Sequence, residues 1–378
     1  PLVALLVVAL TTPASVGASE PVAFETLIDD IGRTMLARYP EEATDLGLSA
    51  ELGLDDTRLN DLSPEYLTGT AALARQGLDR LATVDIADLA SDERITHAVA
   101  SWYLEDIVAM AGYAEHEYAL NFITGPHANL TEFLADIHPL DDLADAEAYV
   151  DRLEGVAEQL GQVADAFERS AAAGILPTRR GLDIAGWQLA GAIQAGARHP
   201  LVTDLEARLD TLELPAAERA RLLQAATTAV EASVLPAYRT LADLVARADA
   251  RSDARPGVLH HPGGSDYYAA ALRHHTTTSL SPDEVHALGL VEVERVRSEL
   301  TERLEEAGFA VTERGLEEAI AAASRAVPAV PLRSDQDRAE VLAETEAFIT
   351  STTAAFEGMF SATPSASLEV QRPRPGRE

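Results

Sequence analysis

The residues that could do chemistry are concentrated in one stretch, HHPGGSDYYAAALRHHTTTSLSPDEVHALGL, from His260 to Leu290. It holds five of the ten histidines of the chain, a Gly-Gly pair and a Tyr-Tyr pair. Imidazole is a common metal ligand and can act as a general base near neutral pH. The stretch is therefore either a reaction or binding site or a turn between two helices.

The five histidines could approach a metal ion. No two of them, however, have the spacing that directs a pair of ligands from one helical face toward a shared zinc. An interpretation as loop and cap residues of a helix-turn-helix is favoured, and a histidine metal site stays open as an alternative. The five are His260, His261, His274, His275 and His286.

The remaining polar and aromatic residues of the stretch are candidates for substrate contact. Gly263 and Gly264 either need a positive φ angle or let the backbone approach a ligand closely. Tyr267 and Tyr268 diverge by about 100° on a helix, so one can pack while the other lines a cleft. Arg273 and a tyrosine hydroxyl are groups that position a carboxylate or a carbonyl.

Motifs of known hydrolases are absent from the sequence. HEYAL at His116–Leu120 begins like the zinc motif H-E-x-x-H but has Leu where the second His is needed, so we expect His116 to be a polar residue on a helix surface. GGSDY at Gly263–Tyr267 has Tyr in place of the last glycine of G-x-S-x-G. Phosphate-binding loops and dinucleotide fingerprints are missing as well.

The composition excludes several classes of function. Asp and Glu number 62 against 29 basic residues, the net charge is -33, and every basic residue is an arginine. Such a charge argues against nucleic acid and anionic membranes as partners. Because the chain has no cysteine, disulfides, thiolate catalysis and cysteine metal sites are excluded.

The first 20 residues resemble part of an export signal. Pro1–Leu10 is apolar and too short to span a bilayer, and Val16–Ala18 supplies small residues for cleavage. We therefore expect residues 1–18 to be a partial signal peptide and the mature protein to be periplasmic or extracellular, without a membrane span. A buried N-terminal helix or strand is the alternative.

The elements that must position these residues are predicted to be helices. Apolar residues recur at helical spacing through most of the chain, with capping signals such as Ser63 in SPEY and Ser281 in SPDE. We expect a mainly α, multi-helix bundle-like body and one short C-terminal strand, Ser367–Gln371, which would join a small sheet in a complete protein. Long helical patterns cover Ala144–Ala173, Ala216–Ala250, Val285–Leu304 and Asp335–Phe360, and breaks fall at Phe122–Leu130, Gly174–Gly181, Arg255–Gly264 and Val327–Leu332.

Three segments resemble the bacterial domain-of-unknown-function 885 family. PGGSDYYAAALRHHTTTSLSPDEVHALGLVEVERV matches its Gly-Gly, Tyr-Tyr, Leu-Arg and His-x-x-Gly spacings. A second segment, AEAYVDRLEGVAEQLGQVADAFERSAAAGILP, is similar to the family's Arg-Leu helix and Gly-x-x-Pro corner. A third, FEGMFSATPSASLEVQRP, is similar to the family's segment with Phe, Pro and a strand that leads to the active centre. The resemblance covers about residues 20–378.

The resemblance implies a helical, gluzincin-like zinc peptidase, often exported. The family's zinc-binding His-Glu segment and later Glu have no match in these residues, so the resemblance implies that residues 19–378 are an N-terminal part that ends before the metal site. It implies no catalytic residue and no metal ligand here, and zinc only in a complete protein. Cleft-lining roles carry over to Gly263, Gly264, Tyr267, Tyr268, Arg273 and His286.

The expected function is to supply a cleft wall and substrate contacts to an exported zinc metallopeptidase-like hydrolase that acts on peptides. These residues alone are expected to bind no catalytic zinc and to cleave nothing. The alternative is a non-catalytic helical binding protein of the cell envelope that holds a peptide or a cation.

Overall fold

The computed structural model describes residues 22–249, 251–252, 254–311, 315–327, 333–356, 358–359 and 370. The chain divides into two compact units, Pro1–Pro282 and Asp283–Glu378. The expected signal segment, residues 1–18, lies outside the described residues. Of the expected strand Ser367–Gln371, only Val370 lies within them.

All regular elements in the described part of the chain are helical, which confirms the mainly α prediction. The first unit contains α1 (Val22–Leu36), α2 (Pro40–Asp45), α3 (Ser49–Leu52), α4 (Pro64–Leu81), α5 (Ser91–Met110), α6 (Pro126–Glu132), α7 (Leu143–Ala172), α8 (Arg179–Ala195), α9 (Pro200–Leu209), α10 (Ala216–Ala229), α11 (Leu235–Asp249) and α12 (Gly264–Thr276). The chain continues with α13 (Pro282–Glu306), α14 (Leu316–Ala326) and α15 (Asp335–Ala355). None of the described helices has the length and apolar content needed to cross a membrane.

Helix α7 is the centre of the larger hydrophobic core. It begins within one residue of the predicted start, where the Asp142 side chain accepts a hydrogen bond from the Asp145 amide. Its buried face packs against α10 and α11 and belongs to the same hydrophobic core as apolar residues of α8 and α9. The Tyr149 hydroxyl, fully buried, donates to the Leu201 carbonyl at 2.8 Å, so its burial leaves no polar group unsatisfied.

A second core joins α1, α4 and α5. Ile31 and Leu104 are among its buried residues. Gly77 allows a close approach of α4 to α5, because a Cβ at this position would lie 2.9 Å from a Leu104 methyl group. This packing fixes α5, whose second half faces α12.

A buried arginine ties α7 to the segment between α1 and α4. Arg152 is 0% exposed, and its guanidinium donates to the Thr44 hydroxyl at 2.6 Å and the Arg58 carbonyl at 3.0 Å. It also donates at 2.5 Å to His138 Nδ1, while His138 Nε2 donates to the Asp145 carbonyl at 2.9 Å. His138 is therefore neutral and has its proton on Nε2.

The pattern predicted as one helix over Ala216–Ala250 is interrupted. A five-residue π turn, Val230–Val234, separates α10 from α11. Pro236 follows it and has no amide hydrogen to donate to the carbonyl four residues earlier. The widened turn accommodates the proline without ending the helical path.

In the second unit, α13 confirms a helix over the predicted Val285–Leu304 stripe, and Gly308 follows it with φ +86°. The residues of this stripe differ in exposure. Leu304 is buried, but Leu288, Val293 and Val296 are about half exposed. Helix α15 ends at Ala355, five residues before the predicted end.

Candidate functional site

The first unit contains a cleft of about 220 Å³ that is open on one side. Its walls come from three separate parts of the chain. The lining residues are Tyr118, Leu120, Asn121, Phe122, Ile123, Pro177, Thr178, Gly181, Gly257 and Val258.

The three walls coincide with three of the predicted helix breaks. Phe122–Leu130, Gly174–Gly181 and Arg255–Gly264 each contribute lining residues. Helix-breaking residues leave short irregular loops at the ends of rigid helices, and binding sites are commonly built from loops held in this way. We call this feature the three-loop cleft.

The first wall is held by side-chain hydrogen bonds to its own backbone. Asn121 Oδ1 accepts from the amides of Ile123 at 2.8 Å and Thr124 at 3.3 Å, which closes an Asx turn. The Gln188 side chain on α8 donates to the Phe122 carbonyl at 2.9 Å. These bonds fix the backbone of the first wall beside α8.

The second wall is the corner between α7 and α8. Gly174 leaves α7 with φ +80°, and the Thr178 hydroxyl accepts from the Gly181 amide at 3.2 Å as the N-cap of α8. The buried Ser252 hydroxyl donates to the Pro177 carbonyl at 2.6 Å. The corner is therefore capped at Thr178 and held at Pro177 by Ser252, which lies just before the third wall in sequence.

The third wall is the loop that leads into α12. Gly263 has φ +69°, as the sequence suggested for one of the two glycines. Gly264 is buried, and a Cβ there would overlap the Val258 carbonyl oxygen. The close approach at Gly264 is thus made to the chain's own backbone, and it sets the position of Val258 in the cleft.

Two hydrogen bonds join the third wall to the first. The Tyr118 hydroxyl lies 2.8 Å from His261 Nε2. His116 Nε2 donates to the Pro262 carbonyl at 2.8 Å. His116 lies in a turn after the short 3-10 helix Ala111–Tyr113, so the prediction that it lies on a helix surface is wrong. Its ring is used to hold a loop, which no local pattern reveals.

None of the ten described residues that line the three-loop cleft has a charged side chain, although 24% of the chain is charged. Apolar groups dominate it, and Tyr118, Asn121 and Thr178 supply the polar side chains. Burial raises the pKa of Tyr118, which keeps its hydroxyl neutral. The cleft can therefore hold an apolar group and offer a few hydrogen bonds around it.

The candidates Tyr267 and Tyr268 lie on α12 and do not line the three-loop cleft. The Tyr267 ring stacks on His116 with centroids 4.9 Å apart, and its hydroxyl donates to Glu117 at 3.3 Å. Burial, followed by the charge of Glu117, raises the pKa of Tyr267 to about 12. Tyr268 is 42% exposed, and the expectation that one of the two tyrosines lines a cleft stays a prediction.

The candidate Arg273 belongs to a polar cluster between α5 and α12. Its guanidinium lies 3.1 Å from Glu105 and 3.9 Å from Asp106, and 5.9 Å from the Trp102 ring. Asp106 is buried and accepts from His274 Nδ1 at 2.6 Å. The carboxylate thereby orients the imidazole, and the cluster fastens the end of α12 to α5.

The remaining candidates and histidines are dispersed. His286 is exposed on α13, in the second unit. Among the described residues, no three His, Cys, Asp or Glu side chains come together in a group that could hold a metal ion. For Gly263, Gly264, Tyr267, Tyr268, Arg273 and His286, a role in substrate contact stays a prediction.

The cleft residues were not among the sequence candidates. The available signal was the presence of apolar residues inside loops, such as Phe122, Ile123 and Val258. Asp106 gave a comparable signal, because it falls three residues after buried Tyr103 on α5. A carboxylate on a buried face needs a partner, but the sequence does not say which one.

Comparisons with known proteins identify the family of the chain. A search of curated proteins found no match. Among solved structures, a protein from Colwellia psychrerythraea described as a "putative lipoprotein" is similar, with a TM-score of 0.80 at 21% identity, covering 92% of this chain. The chain spans 62% of the length of that protein. Residues 40–378 match the family model described as bacterial protein of unknown function (DUF885), and the chain belongs to this family.

Proposed function

We propose that this chain is the peptide-binding portion of an exported zinc metallopeptidase-like hydrolase. The observation that carries the proposal is the three-loop cleft, an uncharged and mostly apolar recess with fixed walls. The resemblance of His260–Leu290 and its flanking segments to a gluzincin-like family supplies the reaction class. A helical wall that grips a peptide is the part these residues can supply.

Among the described residues, no three His, Cys, Asp or Glu side chains form a group that could hold a metal ion. In the proposal, the residues that activate water belong to a part of the protein outside those described. The role of the three-loop cleft is to hold the substrate so that its binding energy contributes to orientation at the reacting bond.

The walls of the cleft suit this role because they are already ordered. The loops of the first and second walls are held by hydrogen bonds between a side chain and a backbone group, and the side chains are those of Asn121, Gln188 and Thr178. A site that is fixed before binding loses little conformational entropy when the ligand arrives. An extended peptide could then place one side chain in the recess while its backbone meets Tyr118 or Asn121 at the rim.

Export is the second part of the proposal. It is supported by the apolar run Pro1–Leu10 with the small residues at Val16–Ala18, and by the description of the Colwellia protein as a "putative lipoprotein". Fractionation of the native host, with immunodetection of this protein in the envelope or the medium, tests it. Retention in the cytosol would contradict it.

Photo-crosslinking tests peptide binding directly. A library of short peptides with one benzophenone residue is irradiated with the 378-residue chain, and the labelled positions are mapped by mass spectrometry. We expect labels on the first and third walls, at Phe122, Ile123 and Val258. Labels spread evenly over the surface would overturn the proposal. We also expect no chelator-sensitive cleavage of the library by this chain.

A non-catalytic binding protein of the envelope would use the same cleft. A cleavage assay on the protein expressed from its native locus distinguishes the two functions. Cleavage of a peptide that binds the cleft, lost with a chelator and restored by zinc, supports the hydrolase. Binding without cleavage supports the binding protein.

A further inference from the structure

The lining of the three-loop cleft favours some peptide side chains over others. Of its ten lining residues, five have apolar side chains and two are glycines. The apolar five are Leu120, Phe122, Ile123, Pro177 and Val258. A charged side chain placed there would lose its hydration without gaining an ionic partner, which strongly disfavours it.

The volume of the cleft fits one large side chain. Its 220 Å³ is below the range of about 300 to 1,000 Å³ typical of sites for whole small molecules. An apolar cavity of about 150 Å³ is enough to hold benzene. A phenyl ring therefore fits, whereas a methyl group would leave most of the cleft filled with water.

The opening and the polar lining residues of the three-loop cleft favour a ligand side chain that projects from a peptide. The cleft is open on one side, as a recess for a group projecting from a longer ligand must be. The ring of Phe122 offers an aromatic surface, and aromatic pairs gain more than their buried area alone provides. Thr178 and Asn121 are among the lining residues, and their side chains can meet peptide amides and carbonyls.

We infer that the three-loop cleft is a specificity subsite for one large uncharged apolar side chain of a peptide, with phenylalanine preferred. The inference rests on the proposed function, because it names the residue that the peptide-binding cleft selects. Phe122 and Val258 are the specificity-determining residues, since they line the cleft from two different loops.

A panel of five peptides tests the inference. They share one blocked sequence and differ only at a central residue, which is Phe, Leu, Ala, Lys or Glu. Binding to the 378-residue chain is measured by calorimetry. We expect the Phe peptide to bind about 10- to 100-fold more tightly than the Ala peptide, with Leu between them. The Lys and Glu peptides are expected to bind no better than the Ala peptide.

A variant whose cleft is filled by its own side chain provides the second part of the test. Val258→Phe places a ring in the recess, and we expect the preference for the Phe peptide over the Ala peptide to disappear. Val291→Phe is the matched control, because Val291 is 65% exposed on α13 and does not line the cleft. Circular dichroism and a thermal melt establish that both variants are folded.

The outcomes separate this inference from the proposed function. Equal affinity for all five peptides, or a preference that survives Val258→Phe in the folded protein, overturns the inference and leaves peptide binding intact. Failure of every peptide to bind overturns the proposed function as well.

Discussion

Asp106 and His274 are 168 residues apart in sequence, and their side chains meet at 2.6 Å between Oδ2 and Nδ1. Asp106 is buried on α5, and His274 lies near the end of α12 beside Arg273. Apart from Gly264, no described residue of α12 is buried. The attachment of this helix therefore depends on polar contacts to an unusual degree.

Removing the buried carboxylate should loosen α12. We expect Asp106→Ala to lower the free energy of unfolding by about 1 to 3 kcal/mol, because His274 and Arg273 lose a shared partner. Urea denaturation measures the loss, and hydrogen exchange should show faster opening of α12. Glu105→Ala is the control: it removes an exposed partner of Arg273 and should cost less than about 1 kcal/mol. Equal losses for the two variants would refute the role given to Asp106.

The fully buried Arg152 should be intolerant of substitution. Arg152→Leu removes the guanidinium donor to Thr44 and His138 and one of the donors to Asp56, and we expect a loss of about 3 to 5 kcal/mol. Arg152→Lys should recover little of it, since an ammonium group cannot reproduce the planar fork. Arg221→Leu removes exposed ion pairs and serves as the comparison. If chemical denaturation showed equal losses of stability for Arg221→Leu and Arg152→Leu, this account would be contradicted.

Three buried histidines should make stability depend on pH. Burial lowers the pKa of His127, His138 and His199 to about 4, below the ordinary 6.5. Between pH 6.5 and 4 the unfolded chain binds protons that the folded chain does not, so the free energy of unfolding falls as pH falls. The slope should approach about 1.4 kcal/mol per pH unit for each histidine.

Urea titrations at stepped pH values measure this slope. In NMR spectra of the folded chain, the three imidazole Hε1 signals should stay at their neutral positions down to about pH 5, and in urea they should titrate near the ordinary value. Stability that is flat from pH 6.5 to 5 would show that the rings are not kept neutral.

Substitution of Gly264 should lower both the stability of the fold and peptide binding in the three-loop cleft. In Gly264→Ala the new Cβ meets the Val258 carbonyl oxygen, so the backbone of the third wall must move. We expect a loss of about 2 to 4 kcal/mol together with weaker peptide binding. Gly191→Ala is the matched control on α8, where a Cβ has open space. It should raise stability by up to about 1 kcal/mol, and both changes can be read from thermal melts.

The fold was largely predictable because helices are encoded locally. The pattern over Ala144–Ala173 located α7 within one residue at each end, and the Ser63 side chain caps α4 as SPEY predicted. The π turn at Val230–Val234 was missed, since its cause is how Pro236 is accommodated inside a longer helix. The exposure of Leu288 shows that an apolar stripe specifies a helix but not what covers it.

The site was less predictable because it depends on contacts between distant segments. Phe122 and Val258 are 136 positions apart in the numbering, and neither has a local pattern that distinguishes it from an ordinary loop residue. The positive φ angle of Gly263 could be anticipated from the Gly-Gly pair. The partnership of His116 with the Pro262 carbonyl could not, because a carbonyl has no sequence signature.

The apolar side chains on the surface of α13 affect how unfolding can be followed. Leu290 and Val291 are each more than 60% exposed in the folded chain, and fluorescent dyes that report melted cores bind such surfaces before any melting. A dye-based thermal scan would therefore begin with a strong signal and understate the transition. Trp102 is partly buried against the second core, so its intrinsic emission gives a readout that avoids this background, whereas Trp187 is 77% exposed and contributes little change.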